Sequence, residues 1–298
     1  MELVEKIDDQ GNTLIFKRYQ GRTFSKNMRG NVGDQLKQVA SLSCRPHDVL
    51  LCTFPKSGTH WVYNMARMIQ TKTLRYSGTP VIIEQENIKV VDETSSPRMF
   101  HTHLPFPFIP KAAMEGQMKI IYVLRNPKDV AYSYYMFLSR LENSSYIGSF
   151  DHYQKVFLSE ETTASGGSWF THTKEWYTGM LTNQSLKILS LRFEDLKKNL
   201  YQNILQIAEF LGVDHDETFL RNVERAVSFE NLKEKHATIL GETERYKSLG
   251  DNGRLPIYRK GIVGEWKNVF TVAQNETFDA VYREKMGDVG LNLEVEYE

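Results

Sequence analysis

The most informative part of the sequence is a short turn with one lysine, two hydroxyl side chains and one glycine: Lys56, Ser57, Gly58 and Thr59. The apolar run at 48–53 predicts a buried strand before this turn, and apolar residues at helical spacing predict a helix over about 59–69. Backbone N–H groups at a helix start point toward one spot, and the helix dipole adds positive potential there. The lysine and the hydroxyls complete a cradle for an anion. An ordinary strand, turn and helix with an exposed lysine is the alternative interpretation.

The turn differs from the usual nucleotide P-loop, which has two glycines and a lysine directly after the second one. Here Lys56 precedes Gly58, the only glycine of the turn. The sequence also shows no clear apolar run that ends in a metal-binding aspartate, a partner that Mg²⁺-dependent phosphoryl transfer usually requires. A nucleotide kinase is therefore the less favoured enzymatic alternative.

A second anion site is expected after the apolar run at 119–124, which predicts another buried strand. Arg125 follows this run directly, and Ser133 lies about two helical turns into the next predicted helix. Neighbouring parallel strands end at one crevice, so both side chains can face the same ligand. A guanidinium and a hydroxyl suit a terminal phosphate, although an arginine at a strand end is more often part of a surface ion pair.

A third basic segment consists of Arg259, Lys260 and Gly261. Two adjacent cations before a glycine can form a flexible, strongly positive clamp for an anion. Taken alone, the segment is better explained as a solvated basic turn.

Two histidines, His101 and His103, follow a short extended run. The ordinary pKa of histidine, about 6.5, allows it to take a proton from a hydroxyl at cellular pH. An H-x-H pair can also bind a metal, but no nearby set of Cys, His or carboxylate residues completes such a site. A structural histidine at a strand end is the alternative.

Together these segments resemble the cytosolic sulfotransferases over about residues 45–287. PKSGT-x-W at 55–61 is similar to the family's 5′-phosphosulfate loop, and the stretch around Arg125 and Ser133 is similar to its 3′-phosphate motif. RKG-x-x-G-x-W-K at 259–267 matches its third phosphate segment, and His103 matches the catalytic histidine before Leu-Pro. The resemblance implies an α/β, P-loop-kinase-like fold, with a central, mainly parallel sheet flanked by helices in one domain over 1–298.

The resemblance also implies a reaction: transfer of a sulfuryl group from 3′-phosphoadenosine 5′-phosphosulfate (PAPS) to a small acceptor, with 3′-phosphoadenosine 5′-phosphate (PAP) as product. By analogy with the family, His103 is the general base, Lys56 stabilises the leaving group, and Ser133 holds Lys56 until the acceptor arrives. The transfer is expected to be in line and metal-free. The resemblance places the donor contacts at Lys56, Ser57, Gly58, Thr59, His60, Trp61, Arg125, Ser133, Phe193, Val227, Phe229, Arg259, Lys260 and Gly261.

The chain departs from the family pattern at four positions: three of the donor contacts and one residue near the catalytic histidine. His101 stands where many members have lysine, and His60 stands where threonine is common. Phe193 and Val227 replace a tyrosine and a threonine near the adenine. Fewer polar contacts to the adenine predict an altered donor affinity, and His101 in place of lysine predicts an altered pH profile. A nucleotide-binding protein that has lost catalysis is the non-enzymatic alternative.

The acceptor is expected to be aromatic or apolar, because aromatic side chains are frequent near the predicted site. The candidate acceptor contacts are His101, His103, Phe106, Phe108, Phe137, Tyr146 and Trp169. Lid loops are expected at about 71–97 and 238–258, the latter within a Gly-rich and charged stretch that predicts a surface loop over 238–263. In a chain with many aromatics, several of these residues are also compatible with plain core.

Composition excludes or disfavours other classes. The 37 Lys and Arg residues balance the 37 Asp and Glu residues, which disfavours a globally basic nucleic-acid binder. The two cysteines cannot form a disulfide framework and suit a reducing compartment. No stretch approaches the ~20 apolar residues that span a bilayer, and no signal-peptide pattern is evident. We therefore expect a cytoplasmic protein that binds a small-molecule acceptor and neither nucleic acid nor membrane.

A possible self-association segment lies near the last predicted helix, at about 271–286. Lys267, Thr271, Val272 and Glu276 reproduce the family's K-x-x-x-T-V-x-x-x-E dimer motif. The resemblance therefore implies a homodimer with a small two-fold contact.

Overall fold

The structure is a computed structural model that describes residues 2–141, 146–159, 165–240 and 257–289. The expected lid at 238–258 lies mostly outside these ranges. Of the helices in the described ranges, none has both the length and the apolarity needed to cross a membrane.

A five-stranded parallel sheet forms the centre of the fold, as expected from the apolar runs. Its strands are β4 (Val49–Thr53), β5 (Val81–Ile82), β6 (Met99–Thr102), β7 (Lys119–Leu124) and β8 (Lys187–Arg192), in the spatial order β5-β6-β4-β7-β8. The register places Cys52 of β4 opposite both Thr102 of β6 and Tyr122 of β7. Because β4 has later strands on both sides, the chain connections diverge next to it and open a crevice at its carboxyl end.

Helices cover both faces of this sheet. In chain order they are α1 (Val32–Ala40), α2 (Thr59–Thr71), α3 (Ile88–Glu93), α4 (Lys111–Met114), α5 (Pro127–Leu138), α6 (Phe150–Leu158), α7 (Trp169–Thr182), α8 (Phe193–Lys198), α9 (Leu200–Leu211), α10 (Glu217–Ala226), α11 (Phe229–Leu240) and α12 (Val272–Met286). Short 3₁₀ helices lie at Phe106–Phe108, Glu265–Asn268 and Gly287–Val289.

The alternation of side chains along β4 divides the core between the two faces. Val49 and Leu51 belong to the cluster that packs against α2, α9 and α10. Leu50 and Cys52 belong to the cluster on the opposite face, which includes residues of α1 and α7. All four side chains are buried, which explains why the strand reads as a continuous apolar run.

The N-terminal residues form a separate antiparallel sheet that the sequence analysis did not predict. It consists of β1 (Glu2–Ile7), β2 (Thr13–Tyr19) and β3 (Arg22–Ser25), in that spatial order. Phe24 of β3 is 1% exposed and packs in a core cluster of the main sheet. The small sheet is thereby fixed to the main body of the protein.

The structure changes two expectations about loops. Residues 238–240, expected to begin a surface loop, belong to α11, which ends at Leu240. The expected lid at 71–97 includes the edge strand β5 and the helix α3. Asn87 caps α3 through its side chain, which accepts a hydrogen bond from the backbone N–H of Lys89. The assignment of the whole chain to a single domain over 1–298 stays a prediction.

Candidate active site

A cavity of about 670 Å³ lies at the carboxyl ends of the central strands. Each of the three basic segments identified in the sequence contributes a residue to its wall: Lys56, Arg125 and Lys260. The base candidate His103 lines the same cavity. Residues from distant parts of the chain thus converge because parallel strands end at one edge of the sheet.

The phosphate loop joins β4 to α2 through a tight turn in left-handed backbone conformations. The φ angles are 71° at Lys56 and 93° at Gly58. A Cβ atom at Gly58 would lie 2.7 Å from Cδ2 of Phe193, so glycine is required both for the backbone angle and for the space. Below the loop, the Thr59 hydroxyl lies 2.7 Å from that of Thr53. Ser57 is 1% exposed, and its hydroxyl has no hydrogen-bond partner among the described residues.

Lys56 lies in a site that favours an incoming anion. Its Nζ atom lies 4.2 Å from the centre of the Phe137 ring, over the ring face. Burial, with the nearby cations Arg125 and Arg259, lowers the pKa of Lys56 to about 7. A negatively charged ligand would restore the charge on this lysine, because opposite charges favour the ionised form.

The second basic group, Arg125, is held by the loop and by the clamp. Its Nη1 donates a 2.8 Å hydrogen bond to the carbonyl oxygen of Lys56, and its Nη2 donates to the carbonyl oxygen of Ile262 at 3.3 Å. Its guanidinium carbon lies 4.3 Å from the centre of the Phe193 ring. Ser133, on α5, lines the same cavity. The predicted pair Arg125 and Ser133 thus lies beside the phosphate loop.

The clamp at 259–261 is fixed by carboxylates on two sides. Arg259 forms a two-pronged ion pair with Glu265, and Lys260 Nζ lies 2.8 Å from Glu265 Oε1. Asp129 of α5 accepts hydrogen bonds from the backbone N–H groups of Gly264 (2.8 Å) and Trp266 (3.1 Å). The buried carboxylate of Asp129 therefore docks the clamp against the helix that carries Ser133.

Three aromatic side chains line another part of the cavity. Trp61 packs edge-on against Phe193 at 5.5 Å between ring centres and donates its indole N–H to the Val227 carbonyl at 3.0 Å. Phe229 lies so close to Gly261 that a Cβ there would be 2.4 Å from its ring. Planar faces of this kind suit a nucleobase.

The base candidate His103 is held in one tautomer. Its Nδ1 lies 2.8 Å from the Thr53 carbonyl oxygen. Because a carbonyl oxygen only accepts, Nδ1 carries the hydrogen and Nε2 keeps its lone pair. Burial, partly opposed by the bond to Thr53 and reinforced by the charge of Lys56, lowers the pKa of His103 to about 4. The imidazole is therefore neutral at physiological pH and can accept a proton.

Two further histidines lie close to His103. The His101 ring is 4.2 Å from the His103 ring in an edge-on arrangement, and burial lowers its pKa well below the usual range. Burial likewise lowers the pKa of His60, which lines the cavity beside Trp61. His101 is 1% exposed and is not among the described residues that line the cavity. Both positions at which the sequence was expected to depart from the resembled family, His60 and His101, thus carry neutral imidazoles.

Of the aromatic residues named as acceptor contacts, Phe137 lines the cavity, two others are half-buried against the core and two lie in the core, and none of these four is among the described residues that line the cavity. Phe106 packs edge-on against Trp176, and Phe108 packs against Phe24. Tyr146 donates to Asp8 Oδ2 at 3.0 Å, and Trp169 is fully buried beside Phe170. Sequence alone could not separate them from pocket residues, because core and pocket use the same aromatic types.

Sequence reasoning missed several residues of the cavity wall. Leu14 and Phe16 of β2 line it, as do Glu84 and Lys197. The first two belong to the N-terminal sheet, which carried no recognised motif. Glu84 follows a strand of only two residues, β5, too short to give a periodic signal. Lys197 lies near the end of α8, with its Nζ 5.2 Å from the centre of the Trp61 ring.

Within the described ranges, no group of three or more His, Cys, Asp or Glu side chains is arranged to hold a metal ion.

A strand, a phosphate-type loop and a helix next to a second cluster of cations define the class: an α/β protein with a cavity suited to anions at the carboxyl end of its sheet. Residues 46–290 match the family model described as Sulfotransferase domain. The chain belongs to the sulfotransferase family and is an enzyme of that family, which confirms the resemblance seen in the motifs.

Two similar curated proteins are 33% and 35% identical to this chain. Sulfotransferase 1C2 of Rattus norvegicus is 33% identical over 87% of this chain and 90% of its own length. Sulfotransferase 1A1 of the same organism is 35% identical over 84% of this chain and 88% of its own length. Among solved structures, mouse sulfotransferase SULT7A1 complexed with PAP has a TM-score of 0.74 and 28% identity, covering 92% of this chain and 95% of that chain. Together with the family model, this similarity confirms the predicted fold class.

Proposed function

We propose that this enzyme transfers a sulfuryl group from PAPS to a hydroxyl or amine of a small, aromatic or apolar acceptor and releases PAP. One observation supports this best: a single cavity is lined by Lys56, Arg125 and Ser133 on the donor side and by His103. A donor with a 5′-phosphosulfate and a separate 3′-phosphate requires two cationic cradles and a base. The relative solved with PAP supports the same donor for this chain.

The donor is held at both of its charged ends in this proposal. The backbone of Ser57, Gly58 and Thr59 and the Lys56 ammonium bind the 5′-phosphosulfate, and the unpartnered Ser57 hydroxyl is available to that anion. Arg125, Ser133 and the clamp at 259–261 bind the 3′-phosphate. Trp61 and Phe229 stack on the adenine, with Phe193 and Val227 beside them. Their apolar side chains leave the adenine with fewer polar partners than a tyrosine and a threonine would give.

Chemistry at the sulfur requires one proton transfer and one displacement. A lone pair of the acceptor oxygen or nitrogen attacks sulfur, and His103 Nε2 takes the O–H or N–H proton as the new bond forms. The bond from sulfur to the bridging phosphate oxygen breaks, and the electron pair leaves on PAP. The Lys56 ammonium, with its positive charge restored by the bound donor, stabilises the charge that develops on this oxygen. Ser133 holds Lys56 before the acceptor arrives.

We propose that no metal takes part, because the transferring sulfonate carries less charge than a phosphoryl group.

The acceptor lies against Phe137, Leu14 and Phe16, which give the cavity an apolar wall next to His103. The position of His101 beside the base supports an indirect role in the pH dependence. A cytoplasmic location stays a prediction.

The decisive experiment measures sulfate transfer from labelled PAPS to phenols, alcohols and amines, with EDTA present. Product that forms with the wild-type enzyme and is lost in His103→Ala supports the proposal. PAP binding without transfer to any acceptor indicates a nucleotide-binding protein that has lost catalysis. Transfer of phosphate from ATP only in the presence of Mg²⁺ would support the kinase alternative instead.

A homodimer is also proposed, through Lys267, Thr271, Val272 and Glu276. All four side chains are exposed, and Val272 is 75% exposed, which is unusual for an aliphatic residue. Thr271 caps α12 in a capping box with Gln274, so the patch has a rigid backbone. Light scattering should give twice the chain mass for the wild type and the single-chain mass for Val272→Glu. A wild-type monomer at micromolar concentration would contradict the proposal.

A further inference from the structure

Glu84 is a buried acid in the wall of the cavity to which no motif assigned a role. It lies two residues after the end of β5 and is 6% exposed. Burial raises the pKa of Glu84 to about 7, although its hydrogen bonds oppose this shift. A buried carboxyl group of this kind is expensive to retain unless it has partners or a task.

The two carboxylate oxygens of Glu84 bind two consecutive residues of the base segment. Oε1 accepts a 2.9 Å hydrogen bond from the backbone N–H of His103. Oε2 accepts a 2.8 Å hydrogen bond from the hydroxyl of Thr102, the last residue of β6. The Thr102 hydroxyl oxygen in turn accepts the backbone N–H of Leu104 at 3.0 Å. One side chain therefore fixes the backbone on both sides of the catalytic imidazole.

His103 is consequently held at two points that come from different parts of the chain. The ring is fixed from β4, through its Nδ1 and the Thr53 carbonyl. The backbone is fixed from the β5 side, through Glu84. The hydrogen bond from Nδ1 to Thr53 sets the tautomer of the imidazole. The hydrogen bond from the backbone N–H to Glu84 fixes the position of the backbone that carries the ring. Both must hold for Nε2 to face the acceptor.

We infer that Glu84 is a positioning residue for the general base His103, acting through the His103 backbone N–H and the Thr102 hydroxyl. The inference rests on the proposed function, in which His103 removes the acceptor proton. Where the pH is high enough for Glu84 to be ionised, its negative charge also favours the imidazolium that forms when Nε2 takes a proton. Because errors of about 1 Å in catalytic geometry reduce rates by about 100-fold, loss of this anchor affects turnover more than binding.

Four variants test the inference. Glu84→Leu removes both bonds at similar volume, and we expect kcat to fall about 100-fold with PAP affinity unchanged. Glu84→Gln keeps an acceptor for the His103 N–H and should lose only about 10-fold. Thr102→Val should lower kcat, and Thr102→Ser, which keeps the hydroxyl, should restore it. Glu217→Gln, at a 73% exposed acid, is the matched control and should behave as wild type.

A second measurement reports on the ring itself and needs no turnover. ¹⁵N imidazole spectra should show His103 as the Nδ1–H tautomer in the wild type. In Glu84→Leu the His103 signals should move toward a mixture of tautomers as the ring loses its place against Thr53. Glu84→Gln should keep most of the wild-type signal.

The outcomes separate the two proposals. Wild-type kcat in a folded Glu84→Leu enzyme would overturn the role of Glu84. The role of Glu84 would also be overturned if kcat, PAP affinity and Tm all fell together in Glu84→Leu while the ¹⁵N signals of His103 stayed unchanged. If the wild type transfers sulfate to no acceptor, the proposed function fails, and the His103 spectra still decide whether Glu84 positions the ring.

Discussion

The guanidinium of Arg125 donates a 2.8 Å hydrogen bond to the carbonyl oxygen of Lys56. This bond joins the end of β7 to the phosphate loop that follows β4. The residue proposed to bind the 3′-phosphate therefore also braces the loop proposed to bind the 5′-phosphosulfate. Arg125 further lowers the pKa of Lys56 through its charge. The two anion sites are one connected structure.

This connection predicts that Arg125→Lys is not a conservative change. Lysine keeps the charge but cannot donate at once to the Lys56 and Ile262 carbonyls and to a phosphate. Loss of one or more charged hydrogen bonds should weaken PAP binding by about 10- to 100-fold. Isothermal titration calorimetry with PAP measures the change directly. Arg221→Lys, at a partly exposed arginine of α10, is the matched control, and equal affinities for both variants would contradict the prediction.

The neutral state of His103 predicts an unusual pH profile. A general base works only while it is unprotonated, and the folded-state pKa of about 4 lies below the usual histidine value. The acid limb of kcat/KM should therefore lie well below pH 6.5, and activity should fall only as the pH approaches that lower value. Rate measurements across acidic pH, with circular dichroism as a check of folding, test this. An acid limb near the ordinary histidine value that persists in Glu84→Gln, which removes the titrating carboxyl group beside His103, would show that the site does not hold the imidazole neutral.

Lys56 predicts proton uptake when the nucleotide binds. Its pKa of about 7 in the free protein means that the amine is mostly neutral at about pH 8. An anion beside it raises the pKa, so binding at that pH should take up close to one proton, and much less at about pH 6. Calorimetry of PAP binding in buffers of different ionisation enthalpy measures this number. The uptake should disappear in Lys56→Met, and uptake that persists there would assign it to another group.

Gly58 predicts a sharp intolerance of alanine. The φ of 93° and the 2.7 Å approach of a Cβ to Phe193 both oppose a side chain. We expect Gly58→Ala to lose about 1–2 kcal/mol of unfolding free energy from the backbone alone and to bind PAP weakly. Gly78→Ala, with φ of 75° but open space, should show only the backbone effect. Gly287→Ala, with φ of −56° and open space, should leave stability and binding unchanged.

A stable Gly58→Ala protein that binds PAP as tightly as the wild type would show that the loop adapts without this glycine. Similar stability losses in Gly58→Ala and Gly78→Ala, with a binding loss in the first alone, would assign the binding effect to the contact with Phe193.

Local sequence signals predicted the central elements well. The apolar run at 48–53 corresponds to β4, and the helical spacing that follows corresponds to α2 (Thr59–Thr71). The last helix, expected at 271–286, is Val272–Met286. These elements are set by short-range properties: burial on both faces, side-chain period and capping. The N-terminal sheet was missed because its strands carry neither a strict alternation of apolar and polar residues nor a recognised motif.

Pairings between distant residues could not be read from the chain. The contact of Glu84 with His103 joins an edge strand to the segment after β6, and nothing in the spacing of the two residues indicates it. The same holds for Asp129, whose carboxylate fixes the clamp from more than a hundred residues away. The aromatic residues show the opposite difficulty: Tyr146 and Trp169 have residue types that are common in pockets, but their side chains are buried in the core.

The sequence by itself determined the family, the parallel sheet and the basic segments, because each depends on residue types at fixed local spacing. Only the tertiary structure decided which side chains line the cavity and which carboxylates hold them. It also decided the protonation states of the side chains that line the cavity. Those properties depend on burial and on distances between elements. They arise when five strands end at one edge and place Lys56, Arg125 and His103 within a single cavity.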